Sequence, residues 1–230
     1  MSVHKLKHNG YRIYFSDEGK TFHRLISAMM NNDIQGEYLT SGNALRNVMI
    51  FEHESKKFIL KRDREVDQRF EKKLSALFSG SFNLKLIKKI DRYKQDVIDI
   101  TSRLYYVAEK IKFGQCVDSF CVYEYADGYA LSDENISDHY EAVASSILSL
   151  HQAGLASNDI HPANFICKPD GKLKVIDLSC RGSIKVCQAN DRLALKKKYN
   201  LDIESGGLIY SLIKTKDSLK YFSRKIRGKV

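Results

Sequence analysis

Three side chains in the second half of the chain have the types and spacing needed for phosphate chemistry. Asp159 and Asn164 are five positions apart, and Asp177 follows Asn164 by thirteen positions. Two oxygen ligands suit a hard cation such as Mg²⁺, which keeps its other positions for water and phosphate oxygens. A carboxylate just upstream could face a substrate hydroxyl, and phosphoryl transfer needs little beyond a metal, a charge clamp and one base. An Asx-rich loop followed by an ordinary hairpin is the alternative interpretation.

The segment between Asn164 and Asp177 has a strand-turn-strand pattern. Residues 165–168 and 173–176 are predicted as short strands, and Pro-Asp-Gly at 169–171 is predicted as the turn. A hairpin returns the chain to its starting end. We therefore expect Asn164 and Asp177 to meet at the same end of this hairpin.

Residues 159–164 (Asp-Ile-His-Pro-Ala-Asn) resemble the catalytic loop of the protein-kinase-like superfamily, in the Asp-Leu-His-Pro-x-Asn form of small-molecule phosphotransferases. Asp177-Leu178-Ser179 stands where those families have Asp-Phe-Gly. The resemblance implies an α+β, two-lobed fold that forms one structural domain. Residues 1–125 would form a small N-terminal lobe built on an antiparallel sheet, and residues 126–230 a reduced, helical C-terminal lobe.

The loop departs from that of protein kinases in ways that favour a small acceptor. Ser157-Asn158 replaces His-Arg, and His161 stands where protein kinases have a lysine. His161 either stabilises transferred charge or, as we expect more strongly, makes a structural hydrogen bond within the loop. Only 53 residues follow Asp177, without an Ala-Pro-Glu element, which implies a compact acceptor.

The resemblance also implies a set of nucleotide-binding residues in the first half. Lys61 would grip the α and β phosphates, although it also fits a solvated lysine at a strand end. Its partner would be Glu71, or alternatively Glu65, on an amphipathic helix predicted over residues 64–78, although Glu71 equally fits a glutamate on the solvated face of that helix. The turn that contains Gly42 would cover the phosphates, but it lacks the Gly-x-Gly-x-x-Gly form and equally fits a plain hairpin turn. Backbone groups from Glu124 to Ala126 would hold the adenine.

The remaining elements are predicted from periodicity. Strands are expected at residues 11–15, 38–40, 47–51, 57–61, 104–108 and 120–125, and helices at 140–150, where Gly154 ends the helix, and from 190 to 199. The basic run over residues 82–94 is interpreted as a solvated face. Asp191 and Arg192 either brace the lobe or cap the helix. A last helix is expected to bury Leu208, Ile209, Leu212 and Ile213.

Composition limits the class of protein. With 230 residues, 43% of them hydrophobic, the chain fits a soluble globular domain. It has no run of eighteen apolar residues, and its first residues lack the apolar core of a signal peptide, so we expect a cytosolic protein. The five cysteines form no Cys-x-x-Cys pair and are expected to be reduced.

The chain carries a net charge of +10, which attracts nucleic acid, anionic membrane or phosphorylated substrates. The tail from residue 214 to 230 has seven Lys or Arg, one Asp and interleaved apolar residues. Such a segment can lie on an anionic membrane surface, or it can be a frayed helix end.

Over nearly its full length the chain resembles the bacterial lipopolysaccharide core heptose kinases, and among them the heptose(II) kinases. This resemblance implies ATP as donor, Mg²⁺ as cofactor and a core glycolipid as acceptor, phosphorylated at the cytoplasmic face of the inner membrane. The basic surface would then serve a phosphate-bearing, lipid-anchored glycan and not nucleic acid. A minimal protein Ser/Thr kinase and an inactive kinase-fold binding module are the alternatives.

Overall fold

The computed structural model describes residues 3–39, 44–64, 82–92, 99–113, 115–180, 183–203 and 206–227. The chain divides into two compact units. The first comprises Met1–Ile98 with Ser102–Tyr125, and the second comprises Asp99–Thr101 with Ala126–Val230. Each unit has its own sheet and its own helices.

The first unit is built on a seven-stranded antiparallel sheet. Its strands are β1 His4–His8, β2 Tyr11–Phe15, β3 Glu37–Leu39, β4 Arg46–His53, β5 Lys56–Asp63, β6 Leu104–Lys112 and β7 Gln115–Glu124. They are ordered β1-β2-β6-β7-β5-β4-β3. The strands predicted at residues 11–15, 47–51, 57–61, 104–108 and 120–125 are present, and each has buried residues. The strand predicted at 38–40 is observed as β3, whose three residues are all exposed.

One face of this sheet is covered by a 3₁₀ helix, Glu18–Leu25, which continues into helix α1, Ile26–Asn31. Phe22 is buried there and packs edge-on against Phe58, with 4.8 Å between the ring centroids. Around it lies the core of the unit, formed by Tyr11, Ile13, Phe15, Ile26, Met29, Met49, Phe51, Leu60, Tyr106, Ala108, Phe120 and Val122.

The opposite face is packed by helix α2, Phe82–Arg92, which buries Leu86, Ile87 and Ile90. Asn83 Nδ2 donates to the buried Glu109 carboxylate at 2.9 Å, and Glu109 lies on the face opposite its neighbour Ala108. The interpretation of the basic run over residues 82–94 as a solvated face therefore holds for one side of this helix and not for the other. The segment is an amphipathic helix whose apolar side is buried.

Alternation along β5 sends neighbouring cations to opposite faces. Arg62 shares the core face with Leu60 and donates Nε and Nη2 to the two Asp118 carboxylate oxygens, at 3.1 and 2.8 Å. The Tyr11 hydroxyl donates to the same carboxylate at 2.8 Å. Burial, and next the hydrogen bond to Asp118, raise the pKa of Tyr11 to about 12. Lys61 lies on the α2 face.

The described residues of the second unit form a three-stranded antiparallel sheet and three α-helices. Its strands, β8 Tyr129–Ala130, β9 Phe165–Cys167 and β10 Leu173–Val175, are ordered β10-β9-β8. Its α-helices are α3 Tyr140–Gln152, α4 Ile184–Tyr199 and α5 Leu208–Ile226. Helix α3 ends before Gly154, whose φ of +70° suits a helix C-terminus. Helix α4 begins six residues earlier than predicted.

The prediction that the last helix buries four apolar residues is wrong in part. Leu208 and Leu212 are exposed, whereas Ile209 and Ile213 pack against α4 as expected. Both sides of α5 are apolar, and periodicity alone could not tell which side would be packed. The prediction of an α+β fold is confirmed. None of the helices in the described part of the chain is long and apolar enough to cross a membrane.

The expectation of five reduced cysteines is also wrong for one pair. Cys180 and Cys187 form a disulfide with their Cα atoms 5.7 Å apart, because the chain after β10 returns beside the first turn of α4. Cys116, Cys121 and Cys167 are free thiols. Burial raises the pKa of Cys116 to about 12, so this thiol is poorly reactive in the folded protein.

Candidate active site

The predicted hairpin is present and brings its two flanking residues together. Strands β9 and β10 pair antiparallel, with Phe165 opposite Val175. One residue further on, the Ile176 backbone N–H donates to the Asn164 backbone carbonyl at 2.8 Å. Asn164 and Asp177 therefore lie at the same end of the hairpin, as the sequence predicts.

Asn164 links this end of the hairpin to Asp159. Its Nδ2 donates to the Asp159 backbone carbonyl at 3.0 Å and to Asp159 Oδ2 at 3.3 Å. Since the amide nitrogen points towards Asp159, the amide oxygen is directed away from it. The Asn164 side chain thus orients the Asp159 carboxylate with its nitrogen and leaves its oxygen directed away from that carboxylate.

The loop between these two residues is held by a local cap. Pro162–Asn164 form a single 3₁₀ turn, and His161 Nδ1 accepts from the Ala163 backbone N–H at 3.3 Å. The proline occupies the first position of the turn, where no backbone donor is needed. The preferred interpretation of His161, a structural hydrogen bond within the loop, is confirmed.

Asp177 lies at a sharp bend that is tied on both sides. Its φ is +55°, in the left-handed region that few non-glycine residues adopt. Before the bend Ile176 is bonded to Asn164, and after it the Ser179 backbone N–H donates to the Ser157 carbonyl at 2.8 Å. These two bonds hold the bend against the loop that carries Asp159.

Asp191 of α4 holds the start of the same loop from beneath. Its side chain is fully buried, and its two oxygens accept from the Ser157 and Asn158 backbone N–H groups at 2.9 and 2.6 Å. His151, at the end of α3, lies with Nε2 3.0 Å from the same carboxylate. Of the two predicted roles for Asp191, the brace is the one observed.

Two further contacts from α4 escaped the sequence analysis. Asn190 Nδ2 donates to the Asn158 side-chain oxygen at 3.0 Å, and Lys198 Nζ donates to the Ile160 carbonyl. Asp191 and Lys198 are seven positions apart on the helix face that also carries the buried Leu195. A brace by Asp191 was already predicted, and the position of Lys198 two turns further along the same helix face was the signal that could have added it.

Lys61 and Glu124 belong to the first unit. Lys61 lies in the middle of β5 and not at a strand end, half-buried, with Nζ 5.4 Å from the centre of the Tyr123 ring. Glu124 ends β7, and its backbone N–H and carboxylate bond the carbonyl and the N–H of Arg103 at 2.9 and 3.1 Å. Ala126 opens the second unit.

Two predicted nucleotide-binding residues cannot be placed. Gly42 and Glu71 both lie outside the described residues, and so do Glu65 and most of the helix predicted over residues 64–78.

The oxygen atoms at this end of the hairpin fit a magnesium site in which a bound phosphate supplies some of the ligands. Asn164 contributes an amide oxygen and Asp177 a carboxylate, two of the oxygen ligands that Mg²⁺ prefers, and phosphate and water can complete an octahedron. Within the described part of the chain, no cluster of three or more His, Cys, Asp or Glu side chains could hold a metal ion.

Comparison with known proteins places this site in a family. The family model described as lipopolysaccharide core biosynthesis protein (WaaY) matches residues 2–229. A protein of Escherichia coli strain K12, named lipopolysaccharide core heptose(II) kinase WaaY, is 29% identical over 184 residues, which cover 79% of each chain. A second Escherichia coli protein of the same name is 22% identical over 232 residues, 99% of each chain.

A solved structure titled "WaaP in complex with acyl carrier protein" has a similar fold. The TM-score is 0.53 over 95% of this chain and 99% of that one, at 17% sequence identity. At that identity the likeness concerns the fold alone. The family model, by contrast, matches the sequence of the loop, the hairpin and the bracing helix described above. Because it covers nearly the whole sequence, the chain belongs to the WaaY family of lipopolysaccharide core biosynthesis proteins.

Proposed function

We propose that this protein is an ATP-dependent kinase that phosphorylates a heptose of the lipopolysaccharide core, namely heptose II. The curated relatives carry that name. The observation that carries the proposal is the bridge formed by Asn164, which bonds the Asp159 carboxylate and is itself bonded to the residue before Asp177. A base and two metal-ligand oxygens so arranged are the parts that phosphoryl transfer requires.

In this proposal Asp159 is the catalytic residue. Its carboxylate orients the heptose hydroxyl, whose oxygen forms a bond to the γ phosphorus while the bond to the β,γ-bridging oxygen breaks and ADP leaves with the electron pair. The hydroxyl proton passes to Asp159 late in the transfer, because a carboxylate is too weak a base to remove it earlier. The hydrogen bond from Asn164 Nδ2 holds the carboxylate in place for this step.

The other roles concern the nucleotide. Asn164 and Asp177 would hold Mg²⁺, which neutralises phosphate charge. Lys61 would steady the α and β phosphates. Glu71 is proposed as the partner of Lys61, Gly42 for the phosphates, and the backbone groups of Glu124 and Ala126 for the adenine.

The acceptor would be met at an anionic membrane surface. A core glycan is lipid-anchored and carries phosphate, so a chain with a net charge of +10 attracts it. We propose that the reaction takes place at the cytoplasmic face of the inner membrane, where ATP is present, and that the protein binds this membrane peripherally.

Replacing Asp159 by Ala tests the base. We expect phosphate transfer to the core glycolipid to fall at least a thousandfold, while ATP binding changes by no more than about threefold, because the metal oxygens remain. Transfer is measured by mass spectrometry of the glycan and binding by calorimetry. The matched control is Asp170→Ala, at the opposite end of the same hairpin, which should keep near-normal turnover. Full turnover by the Asp159 variant would remove the assignment.

Replacing Asp177 by Ala tests the metal site. The wild-type protein should bind ATP much more tightly with Mg²⁺ than without it, and the variant should lose that difference because one of the two ligand oxygens is gone. Calorimetric titrations with Mg²⁺ and with EDTA measure this directly. A variant that keeps the full magnesium dependence would show that Asp177 is not a ligand.

A further inference from the structure

Helix α5 has two apolar sides, and the described part of the chain packs against one of them. Tyr210 is buried against Ala189 and Leu193 of α4, with Ile209 and Ile213 beside it. This inner side attaches the first turns of α5 to the second unit.

The other side of α5 exposes four large apolar side chains, with the exposed Thr215 between the second and the third. We call Leu208, Leu212, Leu219 and Phe222 the outer stripe; their exposed fractions are 78, 60, 65 and 62%. Successive spacings of four, seven and three residues put all of them on one face of the helix. At 1.5 Å per residue the stripe is about 21 Å long. Large apolar side chains grouped on one exposed helix face mark an interaction site.

The charges around the outer stripe are almost all positive. Lys214, Lys216, Lys225 and Arg227 are exposed. The helix has a single acidic residue, Asp217, and Lys197 Nζ of α4 donates to its carboxylate at 2.6 Å. The apolar residues of the outer stripe are thus flanked by cations, and the carboxylate of Asp217 is paired with Lys197. This arrangement is complementary to a lipid surface, in which anionic headgroups cover an apolar interior.

We propose that α5 lies in the plane of an anionic bilayer, with the outer stripe inserted at the boundary between headgroups and acyl chains and the flanking cations on lipid phosphates. A second copy of this chain is a poorer occupant, because two such helices would oppose their positive flanks. This inference deepens the proposed function and rests on it. A kinase bound to the membrane and a lipid-anchored acceptor both diffuse along the same surface, which increases how often they encounter each other.

Vesicle flotation tests the inference without depending on kinase activity. Vesicles of phosphatidylcholine alone are compared with vesicles containing about one third phosphatidylglycerol, with no glycolipid and no ATP present. We expect wild-type protein to float with the anionic vesicles at least tenfold better than with the neutral ones. Raising the salt concentration should weaken this binding, because it screens the flanking cations.

A matched pair of variants separates the outer stripe from charge alone. Phe222→Glu should lower binding at least tenfold, whereas Phe113→Glu should leave it within twofold. Phe113 is fully exposed in the turn between β6 and β7, and the two substitutions change residue type and net charge identically. Leu212→Ser, which alters no charge, should also weaken binding several-fold. Circular dichroism melts check that each variant folds.

Three outcomes would overturn the inference. Wild-type protein could fail to float with anionic vesicles, or Phe113→Glu could weaken flotation as much as Phe222→Glu does. In sedimentation velocity without lipid, a wild-type dimer that Phe222→Glu dissociates would make the stripe a protein interface instead. The proposed function is judged separately, by phosphorylation of a water-soluble core oligosaccharide, which needs no membrane docking.

Discussion

The carboxylate of Asp191 is a buried charged group of the second unit that needs hydrogen-bond donors around it. It is fully buried, so it has lost its hydration, and three donors from His151, Ser157 and Asn158 replace the lost water. Two of these donors are backbone groups of the residues immediately before Asp159. Helix α4 thus holds the start of the loop that carries the proposed base.

Removing this carboxylate should affect both stability and turnover. Asp191→Ala leaves buried donors without an acceptor, and we expect a loss of about 3–5 kcal/mol in the free energy of unfolding, with turnover at least tenfold lower. Asp191→Asn keeps one acceptor oxygen and should lie between wild type and Ala. Denaturant titration and a kinase assay measure the two effects.

The control for Asp191 is Asp202→Asn, which removes an exposed carboxylate that pairs with Lys196 at 2.8 Å. It should change the free energy of unfolding by less than about 1 kcal/mol. If Asp191→Ala were as stable and as active as this control, the brace would have no role.

At the scale of elements, the hairpin of β9 and β10 depends on the short strand β8. Tyr129 pairs with Cys167 of β9, and the Leu131 backbone N–H donates to the Phe165 carbonyl at 2.9 Å. Gly128 makes this approach possible, because a Cβ atom there would lie 2.1 Å from the Cys167 carbonyl oxygen. Its φ of +141° is also one that other residues rarely adopt.

Gly128→Ala should therefore displace β8 from β9, with a cost of about 3 kcal/mol in unfolding free energy and a clear loss of turnover. Gly171→Ala, in the turn of the hairpin, is the matched control. Its φ is also positive, at +78°, but nothing lies within 4 Å of the added Cβ. The control should cost only about 1–2 kcal/mol, as thermal melts can show. Equal losses in both variants would mean that the close approach is unimportant.

At the scale of the whole molecule, charge is the property that matters for the acceptor. The net charge of +10 comes from 38 Lys and Arg against 28 Asp and Glu. Such a surface raises the local concentration of an anionic glycolipid, and the effect depends on ionic strength.

Raising ionic strength from about 0.1 to 1 M shortens the Debye length from about 10 to 3 Å. We expect the KM for the phosphorylated core acceptor to rise several-fold, while kcat at saturating acceptor changes little. Steady-state kinetics over a salt series measure this, with an uncharged heptoside as the control acceptor. A KM that is constant for the phosphorylated acceptor would argue against electrostatic capture.

What the sequence determined by itself is mostly local. The loop from Asp159 to Asn164, the hairpin that follows it, and the strands of the larger sheet depend on turn residues and on short apolar periods, which neighbouring residues largely decide. The grouping of Asp159, Asn164 and Asp177 follows from that local chemistry, so it could be predicted before any packing was known.

Only the tertiary structure decided which surfaces meet. The brace from α4 joins residues more than thirty positions apart, and the pairing of Cys180 with Cys187 depends on how the chain returns after Asp177. Helix α5 is the clearest case. Its sequence has two apolar sides, and packing against α4 uses one of them while the outer stripe remains exposed. Periodicity shows that a face is apolar, but only the neighbouring elements determine what covers it.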